Sequence, residues 1–142
     1  MDNNINVLDE LHKGCCMGID ALNFIIPKTK EKKFQDLLEK QLVEYQEISE
    51  KIDKVYHDYT SSDIHETNAM EKAMTWYGIQ KDTLLDTSVS NLTDLLIRGT
   101  NMGIIEGKKI LNHKTMDKKV HKLCSEYIDM QEAYLEKLKE FL

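Results

Sequence analysis

Six carboxylates have the type and spacing in this chain that could do chemistry: Asp20, Glu44, Glu47, Glu106, Asp129 and Glu132. Glu44 and Glu47 stand three residues apart, as do Asp129 and Glu132, with the second pair 85 positions after the first. Residues at i and i+3 share a helix face, so each pair can present two oxygen ligands together. Hard carboxylate oxygens suit a hard divalent cation. The alternative for the same acids is a solvated helix edge paired with lysine. Other chemistries find no support. The histidines, His12, His57, His65, His113 and His121, form no i, i+3 or i, i+4 pair, and no Gly-rich phosphate loop, Ser-His-Asp arrangement or zinc spacing occurs. Cys15, Cys16 and Cys124 make no Cys-x-x-Cys, so they read as reduced structural thiols of a cytoplasmic protein.

The elements that must position these acids are helical. One proline, Pro27, and no alternating apolar runs or Asn-Gly turns leave no strand signal, so the expectation is an all-α domain over residues 1–142. The net charge of −6 and the lack of a Lys/Arg block disfavour nucleic acid. No apolar run reaches membrane-spanning length, and the polar start, Met1-Asp2-Asn3-Asn4, lacks a signal core.

A first helix is expected over 5–26, with Leu8, Leu11, Cys15, Leu22 and Ile25 on one face and Pro27 as its stop. Thr29 is the expected N-cap of a second helix over 30–59, whose seam runs Phe34, Leu38, Gln41, Tyr45, Ile48, Ile52, Val55 and Tyr59. The short link makes these two an antiparallel hairpin, about 5–59. A long crossover follows over 60–90, with a capping box at Asn68-Ala69-Met70-Glu71 and a short helix carrying Met70, Ala73, Trp76, Tyr77 and Leu84. It either covers the bundle or, through Met70, Trp76 and Tyr77, offers a dimer surface. A second hairpin, 91–142, pairs a helix over 91–111 with one from 116, capped by Thr115, whose seam includes Val120, Tyr127, Gln131, Tyr134 and Leu138. Gln41 and Gln131 are polar residues on core seams. They either hydrogen-bond across the core, with Tyr45 and Tyr127 as partners, or sit at its edge.

Glycines supply the clearest internal match. Lys13-Gly14-Cys15-Cys16-Met17-Gly18-Ile19 corresponds to Arg98-Gly99-Thr100-Asn101-Met102-Gly103-Ile104, and Gly107 continues the second set. Glycine inside a helix costs roughly 1 kcal/mol against alanine. All six glycines fall in segments read as helical, so the repeat implies a packing purpose: close approach of the first and third long helices, with a ligand groove as the alternative. Glu44-Tyr45-Gln46-Glu47 against Asp129-Met130-Gln131-Glu132 extends the repeat to the other two helices.

Hairpin, long crossover, hairpin, in two matched copies, resembles the ferritin-like four-helix bundle. More narrowly it is similar to the small bacterial ferritin-like domains of unknown function at the edge of the ferritin and rubrerythrin superfamily. The resemblance covers nearly the whole chain. It implies pseudo-two-fold symmetry and, in metal-binding members, a Glu from each of two helices with a Glu-x-x-His from each of the other two. Here Glu44-x-x-Glu47 and Asp129-x-x-Glu132 stand where the histidine motifs belong, and His121 is preceded at three residues by Lys118. The resemblance therefore implies a non-catalytic bundle without a cofactor, acting through self-association as a dimer or through a protein partner. The alternative is a di-metal carboxylate protein or oxidase holding iron or manganese on the six acids.

Overall fold

A computed structural model describes residues 3–64, 70–80 and 84–142. Among them are five α-helices and no strand: α1 (Asn3–Ile25), α2 (Lys32–Tyr56), α3 (Met70–Trp76), α4 (Val89–His113) and α5 (Lys118–Lys139). The expected Asn68 capping box lies partly outside the described residues. None of the described helices is long and apolar enough to cross a membrane.

Helix ends are set by local chemistry, and two of the expected caps are corrected. Pro27 does stop α1, within a 3-10 turn over Ile26–Lys28. The cap of α2, however, is Glu31, whose carboxylate accepts from the Lys33 and Phe34 amides at 3.2 and 2.9 Å. Thr29 instead shapes the turn, its Oγ1 accepting from the Glu31 amide. The Asp117 position, not Thr115, opens α5, and its side chain caps nothing because it accepts from the Tyr59 hydroxyl at 2.7 Å. Thr115 accepts from Asn3 Nδ2. Ser88 caps α4, accepting from the Asn91 amide.

Gly78 is the glycine that does not lie in a helix. It follows α3 with φ +65, and the Ile79 amide donates to Met74 O at 2.8 Å while its own amide donates to Thr75 O. This is the 6→1 and 5→2 pairing of a Schellman cap, which needs a residue without Cβ at that position.

Contacts between helix ends fix the directions. The Asp117 amide donates to Asn4 Oδ1 at 2.8 Å, which places the start of α1 at the α4–α5 turn. Phe34 and Phe141 pack with tilted rings, Lys51 pairs with Glu126, and Lys119 pairs with Asp58, so α2 and α5 are antiparallel along their whole length. α1 and α5 therefore run one way, α2 and α4 the other. One contiguous core fills the space between them, and the expected seams supply it: Leu8, Leu11 and Leu22 from α1; Phe34, Leu38 and Ile52 from α2; Leu92 and Leu96 from α4; Val120 and Leu138 from α5. At the end of α2 the buried position is Tyr56, with Val55 and Tyr59 only partly covered.

Candidate functional site

At mid-height the core is not hydrocarbon. The Tyr45 hydroxyl donates to Gln131 Oε1 at 2.9 Å, and Gln131 Nε2 donates to the Tyr127 carbonyl at 3.2 Å. Gln41 Nε2 donates to Thr100 Oγ1 at 3.3 Å. Tyr77, from the end of α3, joins through Tyr45 and Thr100. Each of these side chains is buried. Of the two readings open for Gln41 and Gln131, both are core members, and a tyrosine is the partner for Gln131. Among the described residues Gln41 Oε1 is the buried side-chain oxygen that lacks a hydrogen bond.

Burial dominates the electrostatics of this network. It raises the Tyr45 and Tyr127 hydroxyls well above the ordinary value of 10.0, with the neighbouring phenols adding to the effect. Tyr77 is pushed up to about 12 by burial, offset in part by its bonds to Tyr45 and Thr100. Cys15, buried beside Tyr45 and Tyr127, is raised by burial and by Cys16. Cys124, also buried, is pushed up to about 11 by burial. All three cysteines are free thiols. Groups held protonated in this way are poor nucleophiles and poor metal ligands.

The glycine repeat serves this network. The atoms nearest a Cβ on Gly14 are those of Tyr127, at 2.1 Å, and on Gly18 those of the Tyr45 ring, at 2.6 Å. Gly99 is covered by Tyr77, Gly103 by Gln131 and Gly107 by Ile128. The expected seam of α1 glycines against α4 glycines is thus corrected. Each of these five helix glycines is a seat for a side chain arriving from α2, α5 or the crossover, which lies against bare backbone where a Cβ would collide. Of the two readings open for the crossover helix, Tyr77 takes the covering one, since it is buried. Trp76 packs partly against the core and Met70 is exposed.

The six carboxylates do not converge. Tyr45 and Gln131 point inward, and the acids that flank them in sequence point outward from the same turns. Glu132 pairs with Lys108 at 3.5 Å and Glu106 with Lys109 at 3.8 Å. Asp20 is half-buried on α1, its carboxyl raised by desolvation. Glu44, Glu47 and Asp129 do share a place, an open cleft outside the α2–α5 seam, floored there by Ile48 and Met130. Glu44 lies against the Tyr134 hydroxyl, which burial and then this carboxylate raise. Among the described residues no three His, Cys, Asp or Glu side chains are placed to hold a metal ion.

Neighbouring hollows on the same seam share its edges, Glu44 on one side and Lys51 and Glu126 on the other, and extend the cleft in both directions. Toward the start of α2 it is lined by Asp36, Glu39, Lys40, Val43 and Tyr134. Toward the end of α2 it is lined by Lys54, Val55, Lys119, Lys122 and Leu123. Val43 is 47 % exposed. Sequence reasoning passed over Lys54, Lys119 and Lys122. The signal available for them was a change of sign along the outer faces of α2 and α5. No protein-family model matches the chain, and no curated protein or solved structure shows significant similarity to it.

Proposed function

We propose that this is a ferritin-like four-helix bundle, built from two related hairpins, that is non-catalytic and works by associating with a second copy of itself. The observation that carries the reading is the α2–α5 cleft. It runs along the outside of two long helices, is floored by Ile48, Met130 and Leu123, and leaves Val43 exposed. Antiparallel α1/α4 and α2/α5 pairs joined by a long connection support the bundle assignment. Free thiols are in keeping with a reducing, cytoplasmic setting.

The interior supports the non-catalytic half of the reading. At the level where the resemblance would place metal ligands, Tyr45, Tyr77, Tyr127 and Gln131 fill the core with bonds to one another. The test is metal retention by protein purified without chelator, loaded with iron(II) or manganese(II) and then desalted. Retained metal is expected to stay well below one equivalent. A pair of metal ions per chain, lost when Glu47 and Glu132 are both changed to alanine, would overturn the reading.

A further inference from the structure

We infer that the α2–α5 cleft is a self-complementary interface, filled by the same cleft of a second copy about a two-fold axis through the Lys51–Glu126 ion pair. The inference rests on the association reading above and specifies its surface. Lys51 and Glu126 meet at 3.2 Å across the cleft and mark the point where its charge changes sign. On one side lie Glu44, Glu47 and Asp129. On the other lie Lys54, Lys119 and Lys122. Lys119 is held by Asp58 at 3.0 Å. Glu47, Asp129, Lys54 and Lys122 enter no ion pair among the described residues, so these four charges remain free to meet a partner.

Their placement is symmetrical about the ion pair. Glu47 precedes Lys54 by seven residues on α2, and Lys122 precedes Asp129 by seven on α5. Seven residues of helix span about 10 Å, roughly one Debye length at 0.1 M salt, so the two ends act as separate patches. A two-fold axis through their midpoint reverses both helices. It sets Lys54 and Lys122 of each copy against Glu47 and Asp129 of the other, twice over, as an isologous contact requires. A parallel stacking would oppose like charges. Between the patches the surface is mostly polar: Ile48, Leu123 and Met130 are buried beneath it and Val55 is partly covered, so the contact is carried by charge. The overlap from Glu44 to Tyr56 is about 18 Å of helix and two helices wide. That is roughly 360 Å² per copy, below the range of stable specific interfaces, so the dimer is a weak one that exchanges and depends on salt.

Charge-swapped variants test the geometry. Lys54→Glu with Lys122→Glu makes the basic end acidic, and Glu47→Lys with Asp129→Lys makes the acidic end basic. All four side chains are exposed, and circular dichroism checks that each variant keeps its helix. By sedimentation, the unaltered chain is expected to dimerise, less so as salt rises from about 0.05 to about 0.5 M. Each variant alone is expected to lose about tenfold or more in dimer affinity. An equimolar mixture of the two is expected to recover a heterodimer, because the altered ends then attract. If either variant loses its helix, the single changes Lys122→Glu and Asp129→Lys are mixed in the same way. Variants that dimerise as the unaltered chain does, or a mixture that recovers nothing, overturn this interface while leaving association intact. An unaltered chain that stays monomeric overturns both.

Discussion

A Cβ on Gly18 would lie 2.6 Å from the Tyr45 ring, and one on Gly103 would lie 2.0 Å from Gln131 Oε1. Those two contacts bind the helix glycines to the hydrogen bond between Tyr45 and Gln131. Gly18→Ala must push Tyr45 off its seat and is expected to cost about 1–3 kcal/mol, as overpacking does. Tyr45→Phe keeps the ring but strands Gln131 Oε1, at a cost of about 1–3 kcal/mol. Both are read as a lowered denaturation midpoint at unchanged slope. Alkali gives a second test of the same residues. The Tyr77 hydroxyl stays protonated in the folded chain up to about 12, against 10.0 ordinarily. Between those values the folded chain binds more protons than the unfolded one, so stability is intact below the ordinary value and falls as pH rises. The slope is about 1.4 kcal/mol per pH unit for each such group, and Tyr45 and Tyr127 act in the same direction. Tyrosinate absorbance is expected to rise together with loss of helix. Titration of all six tyrosines near 10 with the helix retained would show that the three hydroxyls are not buried. At this scale the sequence marked the right residues: glycines in register, and glutamines on core seams. It could not assign their contacts, because spacing along a helix says which face a residue shares but not which neighbour covers that face.

Helices were legible where periodicity was strong and less so at their ends. The α2 seam from Phe34 to Ile52 is buried at every predicted position, since three-and-four spacing is a direct image of a helix face. The ends depend on which of several nearby polar side chains bends back to the amides. Glu31 does so for α2, which Thr29 could equally have done from its type alone. Glu31→Ala is therefore expected to cost about 1 kcal/mol and Thr29→Ala less. The crossover follows the same logic. By its type Tyr77 could either cover the bundle or face a partner beside Trp76, and the Gly78 turn sets it on Gly99. Gly78→Ala puts a Cβ on a residue with φ +65 and is expected to destabilise by about 1 kcal/mol, although only Leu95, at 4.0 Å, would touch it. Comparing the thermal midpoints of these three variants with the unaltered chain checks the set.

Across the whole molecule the division is between inside and outside of the same helical turns. Tyr45 and Gln131 face in and close the core, while Glu44, Glu47, Asp129 and Glu132 face out. The six acids suggested a metal site because the repeat placed them at matching heights. Their failure to meet follows from the register: they flank the seam by one residue, which on a helix is a rotation of about 100° away from the core. Three of them, Glu44, Glu47 and Asp129, line instead one end of a cleft whose other end carries lysines. Sedimentation equilibrium of the unaltered chain at low salt, from roughly micromolar to roughly 0.2 mM, tests that reading most directly. The expected result is a reversible shift from the 16.5 kDa monomer toward twice that mass, suppressed by salt. A single 16.5 kDa species at every concentration would contradict it.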